Sequence, residues 1–408
     1  MGAGHSHDHS ALDADVGVSR MARTITSIAL AVVAVVTLAG LVWLWPTERA
    51  SLPEGSTLTA EGIDVVAGRV VALEACEGVD PDAGVQHACA MADVELSEGP
   101  DAGATVPVEL VGVSARSGIA TGDRLQVAAI PGGEGAVVYS LVTVDRMPVI
   151  FVFGALFVAV VLAVAGWKGL RGLLGLVISG WLLFAFIIPA LAAGEAAVPV
   201  ALVGSTAIMF VVLYVAHGVS MRTSSAFVGT LLSLIATTAL GAVGVWAARL
   251  SGISTDETLM LANLLGELDF PDILTCSLVI AGLGVLNDVT ITQASAVWEL
   301  RAAGPHLTRR ELFASGMRIG RDHIASTIYT IVFAYAGAAL SLLLVLSLYD
   351  QPLHLLLSTE QFAEEIIRTL GSGIGLVLSV PLTTGVAALT VEGAAGGPLS
   401  RIAARRAV

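Results

Sequence analysis

Residues 273–296 read Ile273-Leu-Thr-Cys-Ser-Leu-Val-Ile-Ala-Gly-Leu-Gly-Val-Leu-Asn287-Asp288-Val-Thr-Ile-Thr292-Gln-Ala-Ser295-Ala296, with Asp288 as the one charged side chain. As a helix this stretch reaches about 36 Å, enough to cross a hydrocarbon core of roughly 30 Å. Seven further stretches qualify on the same reading: 25–45, 148–166, 172–192, 198–216, 226–248, 324–348 and 370–391. The whole chain agrees. Of its 408 residues 55% are hydrophobic and 13% charged, and mean hydropathy is +0.85, so a soluble fold lacks the charges to cover its apolar surface and disorder is excluded for the same reason. The expected fold is an α-helical polytopic membrane protein of about eight transmembrane helices.

Arg20 and Arg23 precede the first span, as in a signal peptide. Its apolar run is too long for one, and Trp43, Leu44, Trp45 and Pro46 offer no small-x-small cleavage site. It reads as an uncleaved anchor. Basic residues set the orientation. With the amino terminus cytoplasmic, the inner segments carry Arg20, Arg23, Lys168, Arg171, Arg222, Arg301, Arg309, Arg310, Arg318, Arg321, Arg401, Arg405 and Arg406. The short outer loops are acidic. Lys168 is the sole lysine against nineteen arginines, which points to a high-GC bacterial genome. The expected location is a bacterial cytoplasmic membrane, with both termini inside. The organisation is a tail over 1–24, the anchor over 25–45, an extracytoplasmic domain over 46–147, a seven-span permease-like domain over 148–395, and a tail over 396–408.

The domain over 46–147 holds sixteen acidic and five basic residues, a net of −11. That balance argues against nucleic acid and anionic lipid as partners of this domain. Alternating or β-branched runs at 62–73, 90–97, 104–113, 123–130 and 136–145 are separated by turn residues, which suits a small OB-like barrel, with a sandwich as the alternative. Cys76 and Cys89 both fall here, on the oxidising side, and a disulfide between them is expected. Two capping boxes, Ser254 with Glu257 and Thr308 with Glu311, each introduce an expected short helix lying along the membrane surface.

Candidate chemistry concentrates in the sixth span. At 100° per residue Asp288, Thr292, Ser295 and Glu299 share one face, next to Asn287. A carboxylate in an apolar span costs at least about 2.5 kcal/mol on insertion scales, so it should face the bundle or a wet cavity and have a partner. Arg321 and Asp322 open the seventh span, where Arg321 is placed to pair with Glu299; His323 follows. The eighth span has Pro381, which frees a carbonyl, and beside it Thr383 and Thr384, hydroxyls of the kind that coordinate substrate or ion in kinked transporter helices. Small residues and hydroxyls also serve plain helix packing. In the amino-terminal tail His5, His7 and His9 form a weak candidate site for a divalent metal. No cofactor is expected otherwise. Enzyme templates fail: Lys168 follows Trp167 and not the glycine of a P-loop, no His-Glu-x-x-His or Gly-x-Ser-x-Gly occurs, and Asp288 stands four residues after Gly284, not one.

Taken together, Gly282-Leu-Gly-Val-Leu-Asn-Asp288-Val-Thr, Ala294-Ser-Ala-Val-Trp-Glu299-Leu, Ser315-Gly-Met-Arg-Ile-Gly320-Arg-Asp322, Phe333-Ala-Tyr-Ala-Gly337 and Gly373-Ile-Gly-Leu with Pro381 resemble the YibE/F family of multi-pass bacterial membrane proteins, over roughly residues 60 to 395. The resemblance implies a β-rich extracytoplasmic domain followed by a permease-like helical body. Asn287 and His323 stand where it implies apolar residues, and the histidine tail is an addition. The expected function is secondary transport of a small solute or ion, with the lipid bilayer as partner and a homo-oligomer compatible with it. The alternative is a non-transporting envelope scaffold.

Overall fold

The computed structural model describes residues 17–47, 64–76, 88–131 and 137–392. His5, His7 and His9 lie outside the described residues. The chain divides into two compact units, Leu52–Gly166 on one side and Met1–Ser51 with Trp167–Val408 on the other.

The first unit is built on five strands, β1 (Asp64–Ala75), β2 (Cys89–Leu96), β3 (Thr105–Val111), β4 (Arg124–Pro131) and β5 (Val137–Val144). They close into a barrel in the order β1-β2-β3-β5-β4. The β3–β5 pair is parallel, with Glu109 opposite Ser140, and the other pairs are antiparallel. That is the OB-like arrangement, and the sandwich is set aside. Alternation does the sorting: Ala92, Val94 and Leu96 of β2, Val108 and Leu110 of β3, and Leu125 and Val127 of β4 point inward and are fully buried, while their neighbours face out. A bulge between Val70 and Ala72 bends β1. Glycine at 68 lets β1 pass close to β2, since a Cβ there would run into the Val94 side chain. Cys76 and Cys89 form the expected disulfide, joining the end of β1 to the start of β2 with Cα atoms 5.5 Å apart.

Helix α1 is Arg20–Trp43, and α2 is Met147–Leu182. Helix α2 breaks at Gly166, whose φ of 55° and ψ of −133° no L side chain adopts readily. A π-helical turn, Leu183–Ile187, and α3, Ile188–Ala192, carry it on to a total of 46 residues. Two spans with a loop over 167–171 are expected from the sequence. The connection is instead a sharp break at one glycine, after which the helix resumes at once.

The remaining helices are α4 (Ala197–His217), α5 (Met221–Ala248), α6 (Asp256–Leu264), α7 (Phe270–Ala303), α8 (Arg309–Ala338), α9 (Leu340–Leu348), α10 (Leu353–Leu357) and α11 (Glu360–Thr390). Among the described residues six helices are long and apolar enough to cross a membrane, or seven when α8 and α9, bent by 67° at their junction, count as one. Three expectations are corrected here. The span over 324–348 is broken at Ala339. Thr308 and Glu311 do form a capping box, but it opens the long α8 and no separate surface helix. The box of the short α6 is Thr255 with Thr258, because the Ser254 hydroxyl donates to Glu364 at 2.7 Å instead.

Packing in the helical unit is set by missing side chains. Helix α5 lies against α11 at two glycines: a Cβ on Gly229 would meet the Thr383 Cα at 2.9 Å, and one on Gly375 would meet the Thr237 Cβ at 3.0 Å. Gly316 and Gly320 of α8 similarly admit Thr384 and Val380. Five hydroxyls along α5 are satisfied within their own helix: Ser225, Thr230, Ser233, Thr237 and Thr238 each donate to the carbonyl four residues back, at 2.7–2.9 Å. Phe186, Leu213, Phe227, Leu234, Val279 and Leu286 fill the apolar core beside this seam. The two described ends of the chain meet, with the Glu392 amide donating to the Gly17 carbonyl at 2.8 Å and Val18 bridging Val391.

Candidate functional site

Helix α7 presents two polar faces. The inner one carries Thr290 and Gln293, both buried. Thr290 shares a hydrogen bond of 2.6 Å with Thr230 of α5. The Gln293 amide donates to the Thr384 hydroxyl of α11 at 2.7 Å and to the Gly316 carbonyl of α8 at 2.8 Å, so one side chain ties three helices. The Thr384 hydroxyl in turn donates to the Val380 carbonyl at 2.6 Å. Thr383 is equally buried, and its hydroxyl has no hydrogen-bond partner among the described residues.

The outer face is the one singled out from the sequence. Asp288, Thr292 and Glu299 are exposed and Ser295 is half-buried, so these four do share a face. That face does not point into the bundle, and Asp288 has no hydrogen bond or ion pair there; both expectations are corrected. The cause is geometric: Gly282, Val289, Thr290, Gln293 and Val297 on the opposite side pack against α5, α8 and α11, and a helix that buries this side must present Asp288 outward. Asn287 sits at the edge, half-buried with its Oδ1 unpartnered. Arg321 and Asp322 are exposed on α8. The ion pair expected between Arg321 and Glu299 is not formed.

Near Asp288 stands His217, together with two cations, Lys168 and Arg222, that the sequence marks only as topology signals. Helix α4 ends at His217; Gly218, with φ of 79°, turns the chain; and Ser220 caps α5, its hydroxyl accepting the Thr223 amide at 3.1 Å. His217 lies in the electrostatic field of Arg222, Asp288 and Lys168. Lys168 and His217 are exposed. Arg222, in the first turn of α5, is only 9% exposed, and its Nε is buried without a partner among the described residues. An ion taken out of water without compensation costs several kcal/mol. Arg301, 5% exposed, donates from Nη1 to the Pro305 and Leu307 carbonyls at 3.2 and 2.8 Å and so closes the loop after α7, while its Nε and Nη2 are buried without a partner among the described residues, as the Arg222 Nε is. The basic character of Arg222 was legible in the sequence, but its burial was not.

In the barrel, Cys76, Cys89 and Glu109 are the one group of three metal-type donors among the described residues. The disulfide uses both sulfurs and leaves no thiol proton, so the Glu109 carboxylate, 3.6 Å from the Cys89 Sγ, is only a neighbour of it.

The model of a family described as YibE/F-like protein matches residues 153–393. The chain belongs to the YibE/F family. The match begins within α2 and ends just after α11, so it takes in Lys168, His217, Arg222, Asp288 and the Gln293–Thr384 contact. The barrel of this YibE/F protein lies outside it, so the resemblance expected from residue 60 onward is narrowed to 153. No curated protein and no solved structure matches the chain.

Proposed function

We propose that this YibE/F protein is a permease that moves a small solute or ion along the outer face of α7, with Asp288 as the residue that receives it. One observation carries this reading: the carboxylate stands unsealed in an apolar helix, within electrostatic reach of His217, which Lys168 and Arg222 also reach. Such a placement costs at least about 2.5 kcal/mol in lipid, and packing does not call for it because the inner face of α7 already supplies the contacts. From Asp288, Thr292, Ser295 and Glu299 continue one helical turn apart, about 5.4 Å per step, as a ladder of oxygen ligands toward the helix end. In this reading the chain crosses a bacterial cytoplasmic membrane eight times, the breaks at Gly166 and Ala339 included. Both ends are cytoplasmic, consistent with the contact of Glu392 with Gly17, and the barrel is outside, where the disulfide is stable. The reading needs no cofactor and assigns no bond-breaking chemistry.

The test is reconstitution into vesicles and measurement of divalent cation, proton and small-anion flux against Asp288→Asn. Loss of one flux in the variant supports the reading. Equal flux in every assay leaves the scaffold reading, which the close glycine and hydroxyl seam between α5 and α11 favours.

A further inference from the structure

We infer that the α4–α5 turn is a binding site for a phosphate-type oxyanion, held between the buried Arg222 guanidinium, the exposed Lys168 and His217, and the amino terminus of α5. Four observations meet there. Arg222 is nine-tenths buried and has neither an ion pair nor a hydrogen bond among the described residues. Its Nε is shut off from solvent, so the side chain is packed in place and only the outer end of the guanidinium is open to a ligand. Helix α5 is 28 residues long and directs the positive end of its dipole at the turn, where Ser220 satisfies the Thr223 amide and leaves the first amides of the helix to a ligand. Gly218 makes the turn tight enough to bring the end of α4 beside the start of α5. Finally, the charges sensed at His217 are two cations, Lys168 and Arg222, against one anion, Asp288, so the group lacks a negative charge.

A guanidinium fork and backbone amides together favour a tetrahedral oxyanion over a halide, because two oxygens are met in parallel. The site stands whether or not the α7 face carries a solute. The same chemistry is offered by free phosphate and by a phospholipid headgroup.

The full-length protein is tested in two settings. In neutral detergent, inorganic phosphate is titrated against chloride at matched ionic strength and Tm is followed. In phosphate-free nanodiscs, phosphatidylcholine alone is compared with added phosphatidylglycerol. Phosphate is expected to raise Tm saturably and chloride not to. A rise only with phosphatidylglycerol assigns the headgroup as the source. Arg222→Met should weaken the apparent phosphate affinity tenfold or more, and should melt no lower than the wild type without phosphate, because it removes an uncompensated buried charge. Lys168→Gln and His217→Asn, both at exposed positions, should each weaken binding severalfold and keep the test open if Arg222→Met fails to fold. Asp288→Asn, which stops flux under the permease reading, should tighten phosphate binding by removing a repelling charge, so the two readings fail separately. No rise in either setting, or an equal rise in Arg222→Met, overturns the site.

Discussion

Gln293 donates to Thr384 at 2.7 Å, and through that contact α7 and α11 are held in register while the same amide holds α8 at Gly316. Replacing Gln293 with leucine keeps the volume but leaves the Gly316 carbonyl without this donor. Hydrogen bonds between membrane helices average about 0.6 kcal/mol and reach about 1.7, so two lost together should destabilise by about 1–3 kcal/mol. Unfolding in detergent, followed by tryptophan fluorescence at Trp298, checks it.

Gly229→Ala and Gly375→Ala should each cost about 1–3 kcal/mol by overpacking. They differ in rescue. At Gly375 the obstacle is the Thr237 side chain, so Thr237→Ala should restore part of the loss. At Gly229 the Thr383 Cα itself lies 2.9 Å from the new methyl group, and Thr383→Ala should restore less. Tm values of the four single and two double variants decide between these outcomes.

Glu299 and Arg321 should behave independently. Both are exposed and unpaired, so a double-mutant cycle on Glu299→Gln and Arg321→Gln should give a coupling energy below about 0.5 kcal/mol. A larger value would mean that α7 and α8 approach each other more closely at that end than the structure has them.

The Cys76–Cys89 disulfide closes a short loop between β1 and β2. By the chain-entropy estimate for a loop of this size, Cys76→Ser with Cys89→Ser should lower barrel stability by about 3 kcal/mol. Hydrogen exchange should then accelerate in β1 and β2 while α5 and α11 stay protected.

The Tyr139 hydroxyl donates to the Asp101 carboxylate at 2.5 Å, and that hydrogen bond, ahead of burial, holds the phenol above its usual value of 10.0. Below pH 10 the hydroxyl keeps its proton in the folded and unfolded chain alike, so the contribution is intact. As pH rises past 10 the unfolded chain releases its proton first, and barrel stability falls until the folded value is passed. Alkaline unfolding of the barrel should therefore be shallower in Tyr139→Phe.

The strands were legible because alternation at Val94, Val108 and Val127 has only one way to bury itself, inward. The membrane helices were legible for the same kind of reason, since each is long and apolar. Which way α7 faces was not. Its periodicity groups Asp288 with Thr292 and Glu299, but the opposite side is nearly as rich in small and polar residues, and only the glycines of α5, α8 and α11 decide which side is buried. Gln293 stands inside the quoted stretch, but at 100° per residue it lies about 140° around the helix from Asp288, off the face that the carboxylate defines. The break at Ala339 had no proline to mark it, only Gly337 in an otherwise continuous apolar run.

The hydroxyls of α5 that bond their own backbone also bear on how the protein is made. Ser225, Thr230, Ser233, Thr237 and Thr238 need no neighbour to satisfy them, so a nascent α5 can leave the ribosome and rest in lipid with these protons placed, long before α11 has been synthesised. When α11 arrives, it meets a surface already stripped of water, and assembly becomes a matter of fitting shapes.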